Sequence, residues 1–379
     1  MQQNGTKTRL QSVDILRGAI MILMAIDHVR VYSGLPAGGQ SPGIFFTRWV
    51  THFCAPGFVF LAGTAIYLYS NKIKNNKRLA GFLLSRGLLL VLLELTLIRF
   101  FWTFNFDYAA FTLAGVIWMI GWCMVLMALF VWLRPLVAGI VGAALIIGQQ
   151  LFHFVTNILP ASLHSYWEFI YPSGFDPPAH ISILYVLVPW IGVMAVGYAF
   201  GEVLLMDHQK KKKICLWSGL TAVLLFLIIA TIIILRQPVQ NDTPPFIFRL
   251  LNQRKYPASV LYLLMTLGSL IALVPYAEKV KGWFVNVLSV FGRVPFFYYL
   301  AHILLIHSTA LLVNVIRTGD THQQWYNSAP YVFFEEAQRW PLGLLYVVFI
   351  ADVTLLYFVC RWYAAYKQSH PGKKWLRYI

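Results

Sequence analysis

The sequence predicts an all-α, polytopic integral membrane protein with about ten transmembrane helices. Of its 379 residues, 59% are hydrophobic and only 12% are charged, and the mean hydropathy is +0.66. A typical soluble protein has about twice that share of charged residues. Because one crossing takes ~20 apolar residues, the chain has room for roughly ten helices joined by short connections. A large soluble domain is excluded.

Ten apolar segments follow one another along the chain and predict its helices. The ninth is too long for one simple span. The sequence Gly292-Arg293-Val294-Pro295 within it predicts an interfacial turn, because proline starts helices more easily than it continues them. The predicted segments are 13–32, 55–70, 80–104, 110–133, 135–156, 183–206, 214–235, 258–277, 284–316 and 342–363.

The simplest organisation is one membrane domain at 13–363, between a cytoplasmic N-terminal segment at 1–12 and a basic cytoplasmic tail at 364–379. No repeat of 20–50 residues or low-complexity linker divides the chain. Gly197 and Gly201 form a small-xxx-small pair, which either brings two helices close together or reflects chance spacing among 26 glycines.

The net charge of +16 indicates membrane topology rather than nucleic-acid binding, because the basic residues cluster between apolar segments. Basic clusters at 72–78, at 210–213 and in the tail fall on one side when there are ten spans, which predicts that both termini are cytoplasmic. The connection at 236–257 also carries four basic residues although this topology places it outside, and it argues against the span count.

The cysteine pattern indicates neither a disulfide framework nor a metal site. There is no CxxC pair and no histidine at zinc-ligand spacing. The first apolar segment contains charged residues and lacks a cleavage signal, so it is predicted to be a retained helix. The four cysteines, which lie singly in or beside apolar segments, are Cys54, Cys123, Cys215 and Cys360.

Charged side chains in the predicted helices are the candidates for function, since each costs ~2.5–3.5 kcal/mol to insert in a membrane. Arg17 and His28 lie within about 20° of the same helix face and some 16 Å apart along the axis, so they can line one channel. Alternatively, Arg17 extends to the headgroups with Asp14 as its partner, and His28 caps the outer interface.

Two carboxylates in these helices need partners. Asp27 lies ~100° around the helix from His28 and fits Arg30 at i+3, although it could orient an imidazole from the cavity side. Glu94 lies deep in the third segment and predicts an ion-pair strut, because an unpaired carboxylate there would be neutralised. The candidate partners of Glu94 are Arg86, Arg99 and Arg17.

Further candidates are a histidine in the ninth segment and two aromatic, acidic loops predicted to be external. His302 has Tyr298 and Tyr299 at helical spacing and predicts either a hydrogen-bonded patch or a satisfied core histidine. Trp167 belongs to the first loop, at 157–182, where sugars could stack on aromatic rings. An interfacial aromatic belt explains the same residues without a ligand.

Three motifs resemble the catalytic-domain family of heparan-alpha-glucosaminide N-acetyltransferase. They are Ser12-Val-Asp14-Ile-Leu-Arg17-Gly18, the segment from Ala55-Pro-Gly-Phe to Gly63-Thr-Ala-Ile, and Gly115-Val-Ile-Trp-Met-Ile-Gly121. The resemblance covers about residues 9–130 and continues more weakly from Gly292-Arg293 to His302. The spacing from Arg17 to His28 is also similar to that of the membrane acyltransferase-3 proteins.

The resemblance implies a transmembrane acyltransferase that engages acetyl-CoA from the cytoplasm and acetylates a saccharide or other envelope acceptor outside. Eukaryotic members of the family have their active histidine in the first external loop. Residues 33–47 contain none, so His28 and His52 are the available substitutes. His28 acts either as a general base or as an acetyl carrier. The predicted site comprises His28 and Asp27 for catalysis, Arg17, Arg86 and Arg293 for CoA, and His52, His302 and Trp167 for the acceptor.

The rival class is a secondary transporter of a small or lipid-linked solute, which would also have about ten helices with buried charges. Related halves and paired broken helices, which transporters usually show, are not visible in the sequence. A sensory or scaffolding membrane protein would leave the intramembrane charges without a use. The expected location is the cell (inner) membrane. The expected partners are acetyl-CoA, the acceptor and membrane lipids, without metal or nucleic acid, and with a homodimer left open.

Overall fold

The computed structural model describes residues 10–38, 41–178, 181–240 and 243–377, and it is an all-helical membrane bundle. Each of the ten predicted segments contains a helix. The helices are α1 Gln11–Tyr32, α2 Pro42–Trp49, α3 Cys54–Ile73, α4 Asn76–Leu93, α5 Arg99–Thr103, α6 Val116–Phe130, α7 Pro135–Ile147, α8 His164–Trp167, α9 Trp190–Leu204, α10 His208–Leu235, α11 Phe246–Leu251, α12 Val260–Ala277, α13 Trp283–Arg293, α14 Pro295–Thr318 and α15 Leu342–Ser369.

The count of ten spans is not confirmed. In the part of the chain that the structure describes, six helices are long and apolar enough to cross a membrane, or seven if α7 and the 3-10 helix Gln149–Asn157, which meet at 66°, form one span. Helices α6 and α9 have only 15 residues each. Helix α1 has 22 residues but carries the charged groups, so its composition differs from that of a simple span.

Two predicted helices begin later than expected because the residues before them form a short sheet. Strands β1 Thr112–Ala114 and β2 Ile181–Ile183 pair in parallel, with Leu113 opposite Ser182. Gly115 then precedes α6 in an extended conformation, and Pro189 precedes α9. The predicted helices 110–133 and 183–206 were therefore wrong at their N-terminal ends.

Helix α1 is the centre of the bundle, which explains how a charged helix is accommodated. It packs against α3, α12, α13, α14 and α15, and most of its residues are buried by protein rather than left to face lipid. Its closest neighbour is α13. A Cβ atom on Gly18 would lie 1.9 Å from the carbonyl oxygen of Leu288, and one on Gly292 would lie 2.0 Å from that of Asp14. Only glycine permits this contact.

The predicted turn in the ninth segment is present. Helix α13 ends at Arg293, Val294 is non-helical, and Pro295 is the first residue of α14. The small-xxx-small pair is also used, within the chain. A Cβ atom on Gly197 would lie 2.1 Å from the carbonyl oxygen of Phe60, and one on Gly201 would lie 2.5 Å from the Tyr67 Cβ, so α3 and α9 cross closely.

Candidate active site

Helix α1 packs against both α13 and α14. Helix α1 carries an arginine near its start and a histidine further along, and across the α13–α14 junction the last residue of α13 is an arginine and α14 carries a histidine. The Arg17 guanidinium donates to the Gly292 carbonyl at 3.3 Å, beside Arg293. Eleven residues after Arg17 and nine after Arg293, the His28 Nδ1 and His302 Nε2 atoms are 2.6 Å apart. These helices thus place arginines at one level and a histidine pair at another.

The arginine level opens into a cavity of about 440 Å³ between α1, α3, α4, α6, α13, α14 and α15. Arg17, Arg86 and Arg293, the three predicted CoA ligands, all line it, although they come from separate parts of the chain. Lys367, near the end of α15, lines the same cavity. Sequence reasoning missed Lys367, since nothing local distinguishes it from the other lysines of the basic tail. Much of the remaining wall is apolar, including Met21, Ile66, Leu90, Ile117 and Met124.

Tyr299 connects this cavity to the histidine pair. Its side chain lines the cavity, and its ring meets that of His302 edge-on with centroids 5.3 Å apart. One aromatic side chain therefore separates the cavity lining from His302.

The histidine pair lies in an aromatic environment. His302 is fully buried and its Nδ1 lies 3.0 Å from the Tyr298 carbonyl oxygen. The Tyr298 ring stacks on His302 at 5.1 Å, and the Trp102 ring meets His28 edge-on at 4.8 Å. The predicted patch of His302 with Tyr298 and Tyr299 is present, and its hydrogen bond goes to the main chain of Tyr298. His28 is only partly buried.

Asp27 belongs to a separate ionic group beside the pair. Its carboxylate accepts a hydrogen bond from Arg30 at 3.0 Å, as the i+3 spacing predicted, and lies 3.9 Å from the Lys255 ammonium. Burial opposes the charge of Lys255, but Tyr256 and Asp27 outweigh it, so the pKa of Lys255 is raised above its ordinary value. Among the described contacts, Asp27 makes no hydrogen bond to His28.

His52 is almost fully buried near the same end of α1. Its Nδ1 lies 3.0 Å from the Trp49 carbonyl oxygen, and its own carbonyl oxygen accepts a hydrogen bond from the Tyr262 hydroxyl at 2.6 Å. The described residues give its buried Nε2 atom no hydrogen-bond partner. The structure therefore places His52 close to the ionic group of Asp27 and Lys255 rather than in the histidine pair.

Trp167 lies in a loop that satisfies its own polar groups. Its indole N–H donates to the Phe152 carbonyl at 3.0 Å. The neighbouring Glu168 carboxylate accepts hydrogen bonds from the Ser173 backbone and hydroxyl groups and from the Phe175 backbone N–H. The structure gives no contact between Trp167 and the histidine pair among the residues that it describes.

The predicted ion pair of Glu94 was wrong, since in the described part of the chain neither carboxylate oxygen has a side-chain partner. The Glu94 carboxylate is buried against the start of α6, so close to Gly115 that a Cβ atom there would lie 2.2 Å from Oε1. The N-terminus of a helix favours a negative charge, which explains this location. Arg99 instead donates to the carbonyl groups of Phe111, Asn105 and Asp107 and holds the loop after α5.

These features define the class of the protein: a multi-span helical membrane protein with a polar site enclosed by its own helices. The chain belongs to the family described as heparan-alpha-glucosaminide N-acetyltransferase, catalytic, whose model matches residues 9–235. The matched region includes Arg17, His28 and Arg86 and ends before Arg293 and His302. This family is one of acetyltransferases. No curated protein matches the sequence.

Proposed function

We propose that the protein transfers an acetyl group from cytoplasmic acetyl-CoA to a saccharide or another envelope acceptor on the outer side of the cell membrane. The observation that carries this proposal is the cavity lined by three arginines and by Tyr299, whose ring contacts the histidine pair at His302. Such a cavity gives a donor with an anionic head and a reactive arm a route through the protein.

The arginine end fits the phosphates of CoA. Arg17, Arg86 and Arg293 carry guanidinium groups, which form charge-assisted and bidentate hydrogen bonds with phosphate oxygens. Lys367 adds a fourth cationic side chain to the same wall. The apolar residues that line the rest of the cavity suit the pantetheine arm.

His28 is the proposed catalytic residue. It lies about 16 Å along α1 from Arg17, a separation that an extended arm covers. An imidazole has the right basicity to take a proton from a hydroxyl or amine near neutral pH. We assign Asp27 to the charge balance of this end through Arg30 and Lys255 rather than to proton transfer.

The acceptor would approach His28 from the end of the bundle opposite the arginines. Asp27, Lys255 and the half-exposed Tyr256 lie there and offer hydrogen-bonding groups to a sugar. We retain His52 as an acceptor contact because its Nε2 atom has hydrogen-bonding capacity left over. For Trp167 we propose stacking alone, since its N–H group is already bonded to Phe152. His302 is assigned a different role below.

The first test is acetyl-CoA binding and hydrolysis by the detergent-purified protein. We expect the wild type to bind acetyl-CoA and cleave it slowly. Arg17→Ala should weaken binding about 10-fold to 100-fold, the size of a lost charged hydrogen bond. His28→Ala should bind normally and lose turnover. Acetyl transfer to candidate sugars then identifies the acceptor.

Exposed residues of the same types provide matched controls. Arg78→Ala removes an exposed arginine from the start of α4, and His153→Ala removes an exposed histidine from another segment. Both should behave like the wild type. If the wild type does not bind acetyl-CoA, the proposal fails and solute transport becomes the leading function. Equal losses in Arg78→Ala and Arg17→Ala would remove Arg17 from the donor site.

A further inference from the structure

His302 is hydrogen-bonded to the proposed catalytic histidine from a helix far away in the sequence. The His28 Nδ1 and His302 Nε2 atoms are 2.6 Å apart, and their rings stack with centroids 4.8 Å apart. His302 has no exposed surface, whereas His28 is partly exposed. Of the two histidines, His28 is therefore the one with surface available for contact with an acceptor.

The Tyr298 carbonyl determines where the protons of this pair lie. A carbonyl oxygen only accepts hydrogen bonds, so the His302 Nδ1 atom, 3.0 Å from it, carries a hydrogen. The His302 Nε2 atom of a neutral ring is then an acceptor. His28 must donate from Nδ1, which leaves the lone pair of the His28 Nε2 atom available.

We assign His302 as neutral because none of the described ion pairs places an anionic side chain against it. The Tyr298 and Tyr299 rings flank it, and its described hydrogen bonds involve a backbone carbonyl and the His28 ring. A doubly protonated His302 would be a buried charge without an anionic partner, which costs several kcal/mol even after relaxation. The nearest carboxylate on α1, Asp27, is bonded to Arg30.

We infer that His302 is a positioning residue that holds His28 in the tautomer and orientation required for acetyl transfer. This inference rests on the proposed function. The His28 Nε2 atom takes the proton of the acceptor O–H or N–H while the acceptor atom bonds to the acetyl carbonyl carbon. The C–S bond breaks, and the CoA thiolate that leaves receives the proton from His28. Throughout, the His28 Nδ1–H group donates a hydrogen bond to His302 Nε2. This hydrogen bond strengthens as His28 becomes positive.

The arrangement replaces the carboxylate that usually orients a catalytic histidine. In the familiar triad, an aspartate accepts from Nδ1 and fixes the tautomer. Here a neutral histidine accepts from Nδ1, and a helix carbonyl in turn fixes the tautomer of that histidine.

The inference is tested by steady-state acetyl transfer with three substitutions of His302. His302→Leu and His302→Asn remove the acceptor for His28, although Asn keeps a donor for the Tyr298 carbonyl. Both should lower kcat about 100-fold, the lower end of a general base's contribution, with the KM for acetyl-CoA changed less than about threefold. His302→Gln is one methylene longer than Asn and presents an amide oxygen near the former Nε2 position, so it should recover at least about 10-fold of the lost kcat.

A double mutant separates positioning from general structural damage. If His302 acts through His28, then His28→Ala with His302→Leu should be no slower than His28→Ala alone, because residues that act as a unit are not additive. The inference is overturned if His302→Leu keeps the wild-type kcat, if Gln and Asn lose activity equally, or if the double mutant is slower than His28→Ala. A wild type without acetyl transfer would instead overturn the proposed function.

Discussion

Tyr299 lies where the donor cavity ends, between the cavity lining and His302. An acyl group delivered to His28 has to pass this bulky ring. Tyr299 is therefore the residue that should select the length of the acyl chain.

Shortening this side chain should relax the selectivity for the acetyl group. We expect Tyr299→Leu to raise the turnover of butyryl-CoA relative to acetyl-CoA at least about 10-fold, since one methylene in an apolar pocket is worth 10-fold to 200-fold in discrimination. The measurement is kcat/KM for acetyl-, propionyl- and butyryl-CoA. Tyr299→Phe keeps the ring and serves as the control. If Tyr299→Leu left the ratio of the kcat/KM values for butyryl-CoA and acetyl-CoA unchanged, other residues would determine the selectivity.

The individual residues show which contacts a sequence can predict. The pairs Asp14–Arg17 and Asp27–Arg30 follow from i+3 spacing on one helix and are present at 4.0 and 3.0 Å. Partners more than 200 residues apart, such as Lys255 for Asp27 or His302 for His28, depend on how helices pack. No local periodicity encodes that packing. The one available signal was an arginine followed by a histidine, within α1 and again across the α13–α14 junction.

At the scale of elements, backbone-to-backbone contacts between helices set the geometry of the site. The α1–α13 crossing brings Arg17 to the Gly292 carbonyl, next to Arg293. It depends on Gly18 and Gly292, neither of which leaves room for a side chain. The same principle applies to Gly87 and Gly121, through which α4 and α6 approach closely and keep Arg86 at the cavity.

Substituting the crossing glycine should therefore weaken donor binding without touching a charged residue. In Gly292→Ala the new Cβ would lie 2.0 Å from the Asp14 carbonyl oxygen, so α1 and α13 must separate. We expect the Kd for acetyl-CoA to rise about 10-fold, because the arginines lose their alignment. Gly81→Ala, with no atom within 4 Å of the new Cβ, is the matched control. Isothermal titration of folded protein gives both values, and equal affinities would show that the crossing does not align the arginines.

The elements also show the limit of hydropathy. The break at Val294 was predictable, since proline imposes a local rule. The strands at 112–114 and 181–183 were not, because their apolar residues fit a helix equally well and pair only through a contact about 70 residues away in the chain. The 66° bend after α7 depends in the same way on tertiary packing.

At the scale of the whole molecule, the basic residues divide into two groups with different roles. Lys255 lies beside Asp27, and Arg249 donates to the Ile234 carbonyl and to Gln237. These internal contacts explain basic residues in the connection at 236–257 that the topology places outside. The other group determines the orientation of the protein in the membrane. It comprises the exposed clusters at 72–78 and 210–213 and the tail.

The orientation decides whether the cavity can receive cytoplasmic acetyl-CoA, because Lys367 and Tyr69 line it from the ends of α15 and α3. We expect Lys77→Cys and Gln368→Cys to resist a membrane-impermeant maleimide in intact cells and to react after permeabilisation. Ala337→Cys, in the loop before α15, should react in intact cells. All three positions are exposed, and the wild type provides the blank because its four cysteines are buried.

Each pattern of labelling has a separate meaning. If both Lys77→Cys and Gln368→Cys were labelled in intact cells, the protein would have the opposite orientation in the membrane. The arginines would then lie outside, where they could not engage the cytoplasmic donor. Labelling of only one of the two would put the ends of α3 and α15 on opposite sides and contradict a shared cavity mouth. Protection of both, with reactive Ala337→Cys, would leave the cationic end facing the acetyl-CoA pool and the acceptor end of His28 facing outwards, as transfer across the membrane requires.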